Sequence, residues 1–313
     1  MIIVTGCAGF IGSNLSQELL KNNEDVVGID CFDDYYSIDV KKKNLLELKK
    51  LKGFRFLKQD VTETDKKLIK DAEIIYHQAG IGGVRYSIEN PGKYFELNTQ
   101  ATFLLLEKCL SSGIKKFVYA SSSSVYGNVP ENMLPMKEDF RCAPVSPYGC
   151  SKLAAEEYCT TFHRVYGLPT ASLRYFTVYG PRQRPDEAIC KFVDKILKNE
   201  PIDIYGDGQQ TRDFTYIKDV VAGIILSGKS RVDGEVFNIG SGKRISLTEL
   251  IKIIEGAMGK KARFRRIEAQ SGDVLHTQSD ISKARRLLGY DPKYTIEQGI
   301  KEYAEWILAQ KAQ

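Results

Sequence analysis

The 313-residue chain is poor in the side chains that bind metals or staple small folds. It has three histidines, His77, His163 and His276, and only one tryptophan and four methionines. Its seven cysteines (Cys7, Cys31, Cys109, Cys142, Cys150, Cys159 and Cys190) are odd in number and widely spaced, with no Cys-x-x-Cys among them. No histidine stands near a cysteine at zinc spacing, so neither a metal site nor a disulfide framework is expected. No apolar run approaches the roughly 18–20 residues that cross a bilayer. The opening Met1-Ile2-Ile3-Val4-Thr5-Gly6 lacks the basic start of a secretory leader and reads as a strand, so a cytoplasmic address is expected. The basic excess is slight, 45 Lys and Arg against 40 Asp and Glu, which is too weak for a nucleic-acid partner. With 42% hydrophobic and 27% charged residues, disordered and low-complexity classes are also excluded.

What is present is alternation. Short β-branched runs at 2–5, 26–30, 54–58, 74–77, 116–120 and 170–174 are separated by helical-period segments. These include 10–22, 40–51, 91–111 and 147–166. Strands of four to six residues alternating with helices predict a parallel sheet covered on both faces, and right-handed crossovers make it doubly wound, a Rossmann arrangement. Beyond residue 180 the pattern loosens into helices near 188–199, 217–227, 247–258, 281–288 and 296–310, with short strands at 202–205 and 236–239. Long loops at 178–187, 206–215 and 269–280 lie between them, and long loops in a compact chain usually carry function. The division expected is a dinucleotide-binding domain over 1–180 and a smaller α/β substrate lobe over 181–313, with the chain crossing back between them.

Gly6-Cys7-Ala8-Gly9-Phe10-Ile11-Gly12 follows a strand and opens a helix. Gly6 permits the tight turn, Gly9 lets backbone approach a diphosphate, and Gly12 lets helix pack on strand; Phe10 and Ile11 begin the helix whose N–H groups face the phosphates. Asp30 ends the second strand, where a carboxylate accepts from both adenosine ribose hydroxyls and repels a 2′-phosphate. NAD is therefore the expected cofactor. Asp60-Val61 closes the third strand, either to cradle the adenine or simply to turn the chain. Gln78-Ala79-Gly80 closes the fourth, where small residues let a cofactor lie against the backbone. His77, at the end of a buried strand, reads as packed core.

Strand five runs into Ser121-Ser122-Ser123-Ser124-Val125-Tyr126-Gly127, at the sheet edge where doubly wound folds place ligands. The next helix carries Tyr148 and Lys152, four apart and so on one face. An ammonium beside a phenol lowers its pKa from about 10, and a tyrosine poised near neutrality takes a proton from a substrate hydroxyl. A surface Tyr–Lys pair is the bland alternative.

These motifs together resemble the extended short-chain dehydrogenase/reductase family, and within it the NAD-dependent nucleotide-sugar epimerases and dehydratases. Leu173-Arg174-Tyr175-Phe176-Thr177-Val178-Tyr179-Gly180-Pro181-Arg182-Gln183 and Gly206-Asp207-Gly208-Gln209-Gln210-Thr211-Arg212-Asp213-Phe214-Thr215-Tyr216 extend the resemblance over nearly the whole chain. It implies bound NAD, with Tyr175 among its contacts. It also implies a catalytic Tyr148–Lys152 pair with Ser122 as hydroxyl partner, a nucleoside-diphosphate sugar as substrate, and a homodimer through the helices near 91–111 and 147–166. The dehydratases carry Asp-Glu, and the UDP-glucuronate decarboxylases Ser-Glu, where this chain has Ser123 and Ser124. What remains is 4-epimerisation through a 4-keto sugar.

Thr177, the second arginine in Pro181-Arg182-Gln183-Arg184-Pro185-Asp186, and the segments Asp30–Tyr36 and Gly82–Ser87 are most like UDP-glucuronate 4-epimerases. A C6 carboxylate wants a guanidinium and hydroxyl donors, which Arg184, Thr177 and Ser122, Ser123 and Ser124 offer. Arg212 is expected at the diphosphate and Asp273 at the nucleotide ribose. Gln270 stands where many relatives have arginine, so Arg85 or Arg182 is expected to compensate. The rival readings are a UDP-glucose/UDP-galactose 4-epimerase, a UDP-glucuronate decarboxylase, and a non-catalytic NAD-binding regulator.

Overall fold

The structure is a computed structural model that describes residues 1–267 and 274–311. Six strands are laid down in the first 175 residues: β1 (Ile2–Thr5), β2 (Val26–Ile29), β3 (Phe54–Leu57), β4 (Ile74–His77), β5 (Lys116–Ser122) and β6 (Thr170–Tyr175). With Glu235–Ile239 they form one seven-stranded sheet in the order Glu235–Ile239, β6, β5, β4, β1, β2, β3, every pair parallel. Successive residues of β1 serve opposite faces, as the pleat requires. Ile2 and Val4 join the core under helix α1 (Phe10–Lys21), and Ile3 joins the core beneath Leu105, Phe117 and Phe162. Both faces are buried, so the strands read as continuous apolar runs rather than alternating ones. The strand order reverses between β1 and β4. That switch opens a crevice at the carboxyl edge of the sheet.

The later half of the chain both extends the sheet and stands over this edge. Glu235–Ile239 pairs with β6, so the expected crossing back occurs. Thr177–Tyr179 pairs in parallel with Phe214–Tyr216, and Thr211–Arg212 in antiparallel with Ile245–Ser246, so the stretch expected as a loop over 206–215 is partly strand. Arg263–Ile267, which periodicity missed, pairs with Pro201–Tyr205. Four of its five residues are exposed, and an edge strand with no buried face carries no alternation to read.

Two further differences bear on the site. Strand β5 continues to Ser122, so Ser121 and Ser122 are strand residues rather than turn residues. The expected helix over 91–111 is instead three joined segments, Pro91–Tyr94, a π-helical turn at Phe95–Gln100, and Ala101–Cys109. Asn98 sits in that turn. Its side chain accepts from Ile81 N (2.8 Å) and donates to Ile81 O and Ser151 Oγ (both 3.0 Å), tying the widened turn to the loop after β4 and to the helix Pro147–Tyr166. Such bulges cluster at functional sites.

His77 is core, as expected. Its ring nitrogens lie 2.7 Å from Thr5 Oγ1 and 3.0 Å from Thr102 Oγ1, and burial, with the Lys152 charge adding, holds its pKa down to about 3. An unfolded chain takes up this proton near pH 6.5. Stability from the neutral imidazole is therefore full above that pH and is lost as pH falls toward about 3, by up to about 5 kcal/mol. Urea unfolding from pH 7 to 4 is expected to show a shallower loss for His77→Gln than for the wild-type chain. Parallel losses would show that other groups set the acid limit.

Candidate active site

The dinucleotide cleft is built by three glycines at the start of α1. Gly6 has φ +67°, and a Cβ there would meet Ala79 N at 2.8 Å; a Cβ on Gly12 would meet Gly6 O at 2.1 Å. Only glycine fits either place. Gly9 is the N-cap, and no side chain caps the helix, so its first N–H groups and positive end are open to an anion. Asp30 is nearly buried, and its two oxygens accept from Ala8 N (3.0 Å) and Phe32 N (2.9 Å). Each oxygen keeps a lone pair for a ribose hydroxyl. Asp60 accepts from Thr62 N and Oγ1 and caps the short turn Val61–Glu63, so the turn-forming reading describes its contacts, although it also lines the cleft. Gln78 accepts from Tyr175 OH at 3.0 Å, while its buried Nε2 has no partner. Phe10, Ile11, Val61 and Ala79 complete the walls, together with Cys31, Tyr36 and Lys41, which sequence reasoning passed over.

This cleft adjoins a second cavity of about 270 Å³ lined by Ser121–Ser124, Tyr148, Tyr175, Thr177, Gln183, Arg184 and Glu187. Arg184 lines both. Ser146 caps the helix Pro147–Tyr166, its Oγ accepting from Gly149 N at 3.1 Å, and Pro147 fills the first position; this fixes Tyr148 in the first turn. Ser122 shares the cavity wall with Tyr148, where its hydroxyl favours the phenolate, and its Oγ accepts from Ser124 N at 3.1 Å. Tyr94 packs edge-on against the Tyr148 ring at 6.0 Å. Ser121 instead donates to Glu156 (2.6 Å), which is itself held by Arg174, so Ser121 is an anchor of the scaffold.

Lys152 lies one turn beyond Tyr148, and its Nζ donates to Ala120 O at 2.9 Å. Burial raises the Tyr148 pKa, while the Ser122 hydrogen bond and the Arg184 charge pull it down. Lys152 is itself pushed down to about 8, by burial first and by Arg184 second.

A third cavity holds Arg85, Thr177, Lys191, Lys195, Gln210 and Arg212, with Arg212 Nη1 donating to Thr211 O and Leu275 O (both 3.0 Å). Arg85 and Arg212 thus share one wall. Arg182 does not join them: it adopts φ +69° and donates to Ser13 O at 3.1 Å, bracing α1. Gln270 and Asp273 lie outside the described residues. Arg184 is found where a sugar would sit, but its guanidinium is already engaged. Nε and Nη2 bond Asp186 (3.1 and 3.2 Å), and Nη2 pairs with Glu187 at 3.0 Å.

Sheet, glycine turn and Tyr–Lys helix define a short-chain dehydrogenase/reductase-type fold, and residues 2–240 match the NAD dependent epimerase/dehydratase family, to which the chain belongs. It is 42% identical to a UDP-glucuronate 4-epimerase of Thermodesulfobacterium geofontis over 97% of this chain and 95% of that one. A crystal structure of Bacillus cereus UDP-glucuronic acid 4-epimerase with UDP-glucuronic acid and NAD superposes with a TM-score of 0.94, at 40% identity and covering 99% of both chains. UDP-glucose 4-epimerase of Thermotoga maritima, with UDP-glucose, superposes with a TM-score of 0.89, at 32% identity and covering 99% of each chain.

Proposed function

We propose that the chain is an NAD-dependent 4-epimerase that interconverts UDP-glucuronate and UDP-galacturonate. The observation that carries this is that the dinucleotide cleft and the second cavity share Phe10, Ile11 and Arg184, with Tyr148 and Ser122 in the wall of the second. Relatives named for this activity match end to end.

The residues fit the cofactor: the glycine turn leaves no room for a Cβ, Asp30 offers two carboxylate oxygens, and the unpaired Gln78 Nε2 is a donor in want of an acceptor. Bound oxidised NAD would accept the C4 hydride and add a positive charge to the site. Tyr148 takes the C4 hydroxyl proton, and Ser122 donates to the carbonyl oxygen that forms. The 4-keto sugar turns about its diphosphate link, C4 takes the hydride back on its opposite face, and Tyr148 returns the proton to the C4 oxygen. Arg85 and Arg212 hold the diphosphate. Ser123 and Ser124 hold no carboxylate that would drive elimination.

One observation favours a second reading, a UDP-glucose/UDP-galactose epimerase: the arginine expected to greet a C6 carboxylate is already paired with Asp186 and Glu187. Incubating the holoenzyme with UDP-glucuronate and with UDP-glucose, and assigning products by NMR, is expected to give the C4 epimer of the uronate at the higher kcat/KM. Release of a UDP-pentose would indicate decarboxylation, and no product from either would overturn the reading.

Residues 1–180 serve as the cofactor domain and 181–313 as the substrate lobe, apart from the strand returned to the sheet. The proposed homodimer is supported by the resemblance and by Phe95, Leu110, Tyr158, Val165 and Tyr166, exposed on the segments concerned. No helix of the described residues is long and apolar enough to cross a membrane. A cytoplasmic setting suits Cys31 and Cys150, free and exposed.

A further inference from the structure

Glu187 was not singled out by any motif, yet it stands in the wall of the hexose cavity. It is the N-cap of the helix Ala188–Lys198, where its side chain makes no capping bond. Instead its carboxylate accepts from Gln183 Nε2 at 2.8 Å and pairs with Arg184 Nη2 at 3.0 Å. One edge of Arg184 is committed: Nε and Nη2 meet carboxylates, while Nη1 packs close against Gly82. The charged groups lining this cavity are Arg184 and Glu187, which cancel. Asp186 grips the same guanidinium from the outer cleft, which it lines. A uronate entering here would thus meet hydroxyls and a guanidinium already shared by two carboxylates. A third negative charge in a partly desolvated site is costly unless one charge is removed.

Of the two acids, Glu187 is on the hexose side and is the less exposed, 23% against 34% for Asp186. Burial raises its pKa, with Asp186 adding, while Arg184 and Gln183 pull it down. The other titratable groups facing it are Tyr148, Tyr35 and Tyr36 from across the cleft, Cys190 on its own helix, and Tyr303 from the C-terminal helix. All have pKa values raised above their ordinary ones and stay neutral at pH 7.

We propose that Glu187 gates recognition of the C6 group: a uronate binds with uptake of one proton at Glu187, and a neutral hexose binds without it. This rests on the UDP-sugar reading and adds to it a device for telling acid from alcohol. Once protonated, Glu187 releases Arg184 Nη2 to the substrate carboxylate and can itself donate to it. Uronate use therefore falls as pH rises, relative to UDP-glucose.

Calorimetric titration of the holoenzyme at pH 7, in phosphate and in Tris, is expected to show close to one proton taken up per UDP-glucuronate and none per UDP-glucose. Glu187→Gln is expected to abolish that uptake. It should also raise the uronate-to-glucose ratio of kcat/KM at pH 8 by about tenfold and flatten its pH dependence. A residue that only shaped the loop would change both substrates alike. Binding of both sugars by the wild-type protein with no proton uptake would overturn this inference alone, without needing a variant. Failure of both sugars to bind would overturn the functional reading, and this one with it.

Discussion

Tyr148→Phe is expected to lower kcat on UDP-glucuronate by about 10³-fold while leaving the fold and cofactor retention intact. One oxygen is removed, and the ring that packs edge-on to Tyr94 stays. Ser122 is not orphaned, because its Oγ still accepts from Ser124 N. Nothing in the scaffold should move, and Tm is expected to shift by no more than about 2 °C. The loss then reports chemistry: among the described residues lining the cavity the one carboxylate is Glu187, which is engaged with Gln183 and Arg184. Product NMR on the holoenzyme gives the rate, and cofactor absorbance after desalting gives retention. A variant that kept a tenth or more of wild-type turnover would remove Tyr148 from the proton transfer. One that stayed folded and fully functional would favour the non-catalytic regulator.

The cofactor cleft was legible because its rules are local. Gly6 is set by its left-handed backbone (φ +67°), Gly12 by a clash with the nearby Gly6 O, and Asp30 by its place at a strand end. The Tyr148–Lys152 spacing was legible as one turn of a helix, but what each side chain touches was not. Lys152 reaches Ala120 on a strand laid down 32 residues earlier, and no periodicity encodes that partner. Arg184 was found, but its neutralisation was missed, because Asp186 and Glu187 sit in a loop where adjacent charges carry no repeating pattern. Asp213 was quoted only as part of a motif. Buried, it accepts from Ser241, Gly242, Ser279 and Thr215 and so knots together three loops of the substrate lobe. Long-range polar knots of this kind are set by tertiary packing, which sequence pattern does not report.

Lys152→Met is expected to make the apo chain more stable and the enzyme nearly inactive. The ammonium is buried, with one hydrogen bond, to Ala120 O, and the Tyr119 ring 5.3 Å away. Its pKa falls from the usual 10.4 or so to about 8, a cost of about 3 kcal/mol at neutral pH. Methionine is unbranched and of similar length, and gives up one hydrogen bond of about 1 kcal/mol. The net gain is about 1–2 kcal/mol, or a few degrees in Tm. The sign has a pH signature. The cost is full below pH 8 and fades as the folded-state amine deprotonates, so the stability gap between variant and wild type closes between pH 8 and about 10.4. Activity moves the other way. The amine stands behind Gly80 of the cleft wall, 3.2 Å from where a Cβ there would be, with two N–H donors beyond the one given to Ala120 O. Their loss is expected to lower kcat/KM at least 100-fold. Chemical denaturation at pH 7 and pH 10, beside turnover, tests both halves. A less stable variant would mean the buried charge is structural, and retained turnover would mean it is not catalytic. A residue that destabilises the fold it sits in, yet is required for its reaction, is what an active site built into a close-packed sheet edge demands.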